Sequence, residues 1–255
     1  MNINRELSER IEDLERDGLI IIKNVISKKD CDDIITRMDT EEYYSQSELM
    51  WQIRTDPRIL SIFQTIWNTD DIITGYDGIG VKRANSPNGL QWHVDQDPFN
   101  IPGRACLQGI LAITESNITQ FALGSHLYHQ KLTKSCTEPQ EWQFINIDEN
   151  MLHTFQKIQP KLNKGDVIVW DSRLTHRVVA RQNKNKRIVA YLSFSPLSYA
   201  DKPTLELRKT LYNVGASTTH WPHRVTQRVG EKLHPPRKQY DECPDIVKRL
   251  INGKI

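Results

Sequence analysis

"GDVIVWDSRLTHRVVARQNKNKRIVAYLSFS", residues 165–195, reads as three short strands separated by turns. A turn at Asn163–Asp166 leads into "GDVIVW", "DSR" turns the chain again, "RLTHRVV" follows, and the polar loop "RQNKNK" precedes the apolar run "RIVAYLSFS". β-Branched and aromatic residues bounded by Gly, Asn, Asp and Ser mark strands and their turns. The same texture reaches back to about residue 72, through "DIITGY" (71–76), "GIGVKRA" (78–84), "ACLQGILAI" (105–113) and "ITQFAL" (118–123).

On either side of this region the period changes. Residues 5–16 place Leu7, Ile11 and Leu14 at helical spacing until Gly18 breaks the pattern, and "LIIIKNV" (19–25) is a short strand. "SKKDCDDIITRM" (27–38) starts at a Ser27 cap and carries Ile34, Ile35 and Met38 on one face. "DPRILSIFQTIW" (56–67) starts at Asp56, with Pro57 in its first turn. The last helical signal is "DKPTLELRKTLYNVG" (201–215), ending at Gly215, and the chain from 216 reads as mostly irregular. Helices, then many strands, then a helix predict a mainly β fold, an antiparallel sandwich or barrel with helices packed outside. The strand region is continuous, which predicts one domain over 1–255: a helical part at 1–70, a β core at 71–196, and a helix and tail at 197–255.

Composition sets outer bounds. A net charge of +2 over 255 residues does not advertise a polyanionic partner. Cys31, Cys106, Cys136 and Cys243 are widely spaced and form no CxxC, which argues against a disulfide framework and a cysteine zinc knot. The opening "MNINRELSER" is charged, and no apolar run approaches the ~18 residues that span a bilayer. These features predict a soluble, cytoplasmic protein with no membrane partner. The abundant isoleucine, asparagine and lysine fit an AT-rich, viral-type source genome.

The chemistry starts at "QWHVDQDPF" (91–99). On a strand or its end, positions i and i+2 point the same way, so His93 and Asp95 can aim a nitrogen and an oxygen at one point. His176, in "RLTHRVV", is the candidate third donor. Two histidines and one carboxylate with open positions suit non-haem Fe(II) and oxygen activation. Spacing alone leaves an ordinary turn pair as good a reading, because short matches are permissive. Arg187 adds weight, since a guanidinium opening a buried strand is costly unless it pairs with an anion. The bland alternative is that Arg187 closes a strand rim after the solvated loop. Neutral imidazoles are needed for metal, so affinity is expected to fall below a pH of about 6.5.

Several other features carry less. "HLYH" (126–129) and "HWPH" (220–223) could each present two imidazoles, but neither has a nearby cysteine or acid to complete a zinc site. Trp92, Trp170 and Trp221 read first as packing residues. The basic tail "RVTQRVGEKLHPPRKQY" (224–240) is interleaved with acids and reads as solvated surface, which disfavours nucleic acid as a partner.

The blocks "QWHVDQDP", "CLQGILAITESN", "FALGSH", "KGDVIVWDSRLTHRVV", "KRIVAYLSF" and "ASTTHWP" resemble, in order, those of the phytanoyl-CoA dioxygenase-like family, in its microbial and viral branch. The opening "LERDGLIIIKNVISKKDCDDII" is similar to the usual start of that family. The resemblance implies a double-stranded β-helix of the jelly-roll or cupin type. It implies Fe(II) on His93, Asp95 and His176, with 2-oxoglutarate and O₂ as co-substrates and ascorbate as a helpful reductant. Arg187 would take the distal carboxylate of 2-oxoglutarate, and Gln108 falls where the family often contacts the co-substrate. Trp221 and His220 would be lid residues, and His126 in the "GSH" block would not be a ligand. The implied activity is hydroxylation of a small molecule or lipid-like acyl substrate, with 2-oxoglutarate decarboxylated to succinate. Two alternatives stand beside it: oxidation of a protein side chain or nucleobase, and a cupin-like binding protein without turnover.

Overall fold

A computed structural model describes residues 3–41, 44–82, 89–99, 101, 103–139, 144–180, 186–226 and 232–253. Residues 83–84 of the predicted strand "GIGVKRA", 181–185 of the polar loop and 227–231 of the basic tail lie outside the described residues.

The N-terminal part runs α1 (Ile3–Asp17), β1 (Leu19–Ile22), α2 (Lys28–Met38), α3 (Glu48–Thr55) and α4 (Pro57–Trp67). Strands follow: β2 (Ile72–Thr74), β3 (Ile79–Lys82), β4 (Leu90–Val94), β5 (Leu107–Ala112) and β6 (Thr119–Ala122). After the short α5 (His129–Leu132) come β7 (Ile145–Asn146), β8 (Lys157–Ile158), β9 (Val167–Asp171), β10 (His176–Val178) and β11 (Arg187–Pro196). The chain closes with α6 (Lys202–Val214) and α7 (Asp245–Asn252).

Two helix starts follow the predicted caps, Ser27 and Asp56, and Asp201 caps a third. Ser27 accepts from the Asp30 amide, Asp56 from Arg58, and Asp201 from Thr204. Gly215 ends α6 at φ +76°, and a Cβ there would lie 2.0 Å from the His234 backbone, so only glycine fits. Two helices depart from expectation. The helix α3 is capped by Ser47, which accepts from the Met50 amide, but it shows no apolar stripe because Leu49, Met50, Trp51 and Ile53 bury almost all round it. The supposedly irregular tail ends in α7, whose Val247, Leu250 and Ile251 are buried.

Among the described residues the strands form two antiparallel sheets. One runs β1-β9-β5-β11-β2, with β3 also on β11, and the other runs β7-β4-β10-β6-β8. Alternation along β11 separates two faces. Ile188, Ala190, Leu192 and Phe194 pack with the helices, Phe194 lying 4.4 Å from the Phe63 ring centre. Val189 and Tyr191 face inward, where Ile110, Ile168 and Trp170 of the first sheet meet Phe121 of the second. Two sheets closed over a shared interior, with helices outside the larger one, make a double-stranded β-helix. Among the described residues no helix is long and apolar enough to cross a membrane.

Two turns set the site. Gly165, at φ +89°, precedes β9, and a Cβ there would meet the Ile26 carbonyl oxygen at 2.0 Å. At the far end of β9 the buried Asp171 carboxylate accepts from Arg104 Nε at 3.0 Å and from the Arg173 guanidinium at 2.7 Å. That pairing holds the Ser172–Thr175 turn, so β10 starts at His176 rather than at Arg173 as the sequence pattern predicts.

Candidate active site

The register of β4 and β10 sets His93 opposite His176, and Asp95 follows directly after β4. The three side chains are buried, and one donor atom from each lies within 4.8 Å of the others. Asp95 Oδ2 is 3.3 Å from His176 Nε2, and Oδ1 is 3.8 Å from His93 Nε2. Each imidazole is aimed by its other nitrogen. His93 Nδ1 donates to the Gln91 carbonyl at 2.6 Å, and His176 Nδ1 to the Leu174 carbonyl at 3.0 Å. With Nδ1–H committed in this way, the Nε2 lone pairs face Asp95, as metal ligation requires.

The electrostatics agree. Burial, reinforced by the nearby His93, pushes His176 down to about 4, so its ring is neutral well below the ordinary imidazole range. The pH expected for proton competition at this ligand therefore moves down from about 6.5. Burial acts to raise the Asp95 carboxyl, but His176, His93 and His220 bring it below its usual value. The result is an anionic oxygen beside the neutral ring of His176.

A cavity of about 490 Å³ opens over this cluster, lined also by Asp77, Gln108, Phe144, Tyr191 and His220. Neither polar atom of the buried Gln108 amide has a hydrogen-bond partner among the described residues, which suits a ligand in this space. Arg187 is 2% exposed and stands behind Tyr191, its Nη1 3.5 Å from the tyrosine oxygen. Its Nε donates to Ser116 Oγ at 2.6 Å, and among the described residues no carboxylate is paired with it. Its cross-strand neighbour is Lys82, whose ammonium is pulled below the usual lysine range by burial and by Arg187. Donor set, orphaned amide and unpaired guanidinium therefore fit iron with 2-oxoglutarate.

The remaining motifs separate. His126 and His129 bond the carbonyls of Glu15 and Gln96 at 3.1 and 2.6 Å, away from the cluster. His223 sits on Ser195 Oγ at 3.2 Å, and His220 Nδ1 lies 2.9 Å from Asp77 Oδ1. Among the described residues no second group of three such donors converges. Trp221 is 3% exposed and its Nε1 donates to the Asp95 carbonyl, which ties it to the ligand segment. Trp170 is both packing and lining, with its ring 5.6 Å from that of His176. Sequence reasoning missed Lys82, Asp77, Tyr191 and Phe144: Tyr191 and Lys82 stand in strand runs read only for their pattern, and Asp77 and Phe144 stand in no motif.

A double-stranded β-helix holding two imidazoles, one carboxylate and a buried guanidinium defines an iron- and 2-oxoglutarate-dependent oxygenase. Comparison with known proteins agrees: the family model described as phytanoyl-CoA dioxygenase (PhyH) matches residues 39–188, and the chain belongs to that family. Among curated proteins, "Ava biosynthesis cluster protein O" of Aspergillus versicolor is 26% identical over 217 residues, covering 73% of this chain and 68% of the relative. Among solved structures, the epimerase SnoN in complex with Fe³⁺, alpha ketoglutarate and nogalamycin RO is similar, with a TM-score of 0.61 and 14% identity, over 76% of this chain and 84% of that one. EctD from S. alaskensis with 2-oxoglutarate and 5-hydroxyectoine gives 0.58 and 15%, covering 75% and 76% of the two chains. HygX from Streptomyces hygroscopicus with nickel, 2-oxoglutarate and hygromycin B gives 0.55 and 12%, covering 74% and 86%. At such identities the likeness carries the fold.

Proposed function

We propose that this oxygenase hydroxylates a small organic molecule. The observation that carries the reading is the convergence of His93, Asp95 and His176, donors outward, beneath a cavity of about 490 Å³. Those three side chains would hold Fe(II). Arg187, with Lys82 beside it, would hold the distal carboxylate of 2-oxoglutarate, and Gln108 would supply a further hydrogen bond. Iron bound there supplies the oxidising chemistry, drawing on O₂ and on 2-oxoglutarate, which leaves as succinate and CO₂. The chain's own part is orientation: two imidazoles aimed by backbone carbonyls, a buried carboxylate and a guanidinium fixed by Ser116. A cavity of this size suits a small molecule rather than a duplex base or a protein loop. The small-molecule ligands of SnoN and HygX support the same substrate class. The two sheets share one interior, which supports treating 1–255 as one domain.

The test is succinate release with Fe(II), ascorbate and 2-oxoglutarate, first alone and then with fractionated small-molecule extracts. Extract-dependent succinate with a product 16 mass units heavier, one added oxygen atom, is expected from a hydroxylase. SnoN is an epimerase and SnoK, from the same nogalamycin biosynthesis, a carbocyclase, so an extract-dependent product without added oxygen would replace hydroxylation while keeping the oxygenase. Absence of any 2-oxoglutarate turnover would leave only a binding protein.

A further inference from the structure

The sheet places two of the three donors and leaves the third to something else. His176 begins β10 and is paired on both sides, with His93 of β4 and Phe121 of β6. Asp95 lies one residue past the end of β4 and has no ladder partner among the described residues. Its main chain is held by single bonds from distant segments instead. Asp95 N donates to the Ser172 carbonyl at 3.3 Å, and its own carbonyl accepts from Trp221 Nε1. Ser172 stands in the turn that delivers His176, so the first of these bonds joins two ligand-bearing segments.

The residue after Asp95 doubles that link through its side chain. Gln96 Oε1 accepts from Ser172 Oγ at 2.6 Å and from the Ala105 amide at 3.0 Å. Its Nε2 donates to the carbonyls of Gly103 at 2.8 Å and Ile101 at 3.3 Å. The buried amide thus makes all four of its bonds, and the partners fix which way it faces, two being carbonyls and one a backbone N–H. Its main-chain carbonyl is taken as well, by His129 Nε2 at 2.6 Å. Three of the four side-chain bonds close the loop on itself. The fourth, to Ser172, leaves the loop for the turn before His176, which loop closure alone does not require.

We propose that Gln96 is a positioning residue for the metal site: through Ser172 it holds Asp95 at its separation from His176, so that the donors stand ready before a metal arrives. This deepens the oxygenase reading and rests on its assignment of His93, Asp95 and His176 as ligands. Outer partners of this kind set the orientation and affinity of a ligand set without touching the ion.

The experiment titrates the full chain with Co(II) and no co-substrate. Calorimetry reads the affinity, visible ligand-field absorption reads the coordination, and a thermal melt of each metal-free variant reads the fold. Ser172→Ala cuts the link alone, because Gln96 Oε1 keeps the Ala105 amide. It should weaken Co(II) binding about tenfold, the lower end of what an outer partner is worth, and shift the absorption bands. Gln96→Met removes all four side-chain bonds and should weaken binding further, by up to about 100-fold, at a cost to the melt. In the double variant the serine change should add little, since its hydroxyl has already lost its partner. Thr74→Val is the control: it removes an equally buried hydroxyl, bonded to the Ser193 carbonyl on the other sheet. It should lower the melt and leave the Co(II) affinity and absorption unchanged. A Ser172→Ala protein within about twofold of native affinity and with native absorption would overturn the proposal. So would additive losses in the double variant, or an equal effect of Thr74→Val. Should Gln96→Met fail to fold, Ser172→Ala against Thr74→Val decides it. Failure of the native protein to bind Co(II) would instead sink the ligand assignment, and this proposal with it.

Discussion

Arg187→Met separates what the guanidinium does for the ligand from what it does for the fold. Arg187 is 2% exposed, with Nε on Ser116 Oγ at 2.6 Å and no carboxylate among the described residues. Replacing a buried charge with an apolar side chain of similar size is often neutral or stabilising, by about 1–4 kcal/mol. Methionine should therefore leave the melting temperature of the metal-free protein unchanged or raised, by about 2–4 °C per kcal/mol for a chain of this size. Ligand affinity should move the other way. A buried Arg–carboxylate pair that loses one partner costs about 2–5 kcal/mol. That is a rise of about 30-fold to several thousand-fold in the Kd of N-oxalylglycine. Arg187→Lys should fall between, since the ammonium keeps the charge but not the fork. Calorimetric titration with Ni(II) present reads the affinity, and a thermal melt of the metal-free protein reads the fold. An affinity within about threefold of the native value would refute the assignment, being under 1 kcal/mol. A melting temperature lower by about 8 °C or more, with affinity retained, would recast Arg187 as a strut on Ser116.

Asp95→Ala removes the anionic donor of the set, so metal affinity should fall by more than the about 10–100-fold that losing an outer hydrogen-bond partner costs. Metal analysis and succinate release should fall together, and normal turnover in this variant would refute the ligand assignment. The metal-free protein should lose stability on acidification, because burial holds His176 and His223 near 4 while an unfolded imidazole takes its proton near about 6.5. Between those values only the unfolded chain is protonated, so stability falls with falling pH by up to about 1.4 kcal/mol per unit and histidine. A urea midpoint that stays flat over that window would contradict the burial argument. Gly165→Ala should destabilise by about 2 kcal/mol or more, since its Cβ would meet the Ile26 carbonyl oxygen at 2.0 Å and its φ is +89°. A melt within about 2 °C of the native protein would show that the turn can relax.

What could be read from the sequence were the parts written locally. His93 and Asp95 share a face because they are two apart at a strand end, and Ser27, Asp56 and Asp201 cap helices through their own next turn. What could not be read depends on contacts between distant segments. Asp77 is one polar residue in a turn until β11 brings Ser193 and the C-terminal segment brings His220. α3 escaped because Leu49, Met50, Trp51 and Ile53 are buried together and leave no stripe. α7 has the right spacing at Val247, Leu250 and Ile251, but its eight residues close a Pro- and Lys-rich tail. β7 and β8, at two residues each, are too short for any alternation.

The strongest physical reason for placing the co-substrate carboxylate at Arg187 comes from comparing it with the other two fully buried arginines. Arg208 donates to the carbonyls of Thr74 at 2.6 Å, Pro222 at 2.8 Å and Leu250 at 3.0 Å, and to that of Ile251. Two of those carbonyls close the last turn of α7, where the helix dipole is negative. Arg54 donates to the carbonyls of Ser45 and Asp77 and lies 4.8 Å over the Trp51 ring. Both guanidiniums are therefore answered by backbone dipoles, and both are spent holding segments together. Among the described residues Arg187 has only the Ser116 hydroxyl and, at 3.5 Å, the Tyr191 oxygen. Its Nε is occupied by Ser116, which leaves the Nη1/Nη2 edge, the bidentate face of the fork, for a carboxylate. Among the described residues, two buried arginines are answered by carbonyls and the third, behind the cavity residue Tyr191, is not, which supports the proposal that its charge serves a ligand.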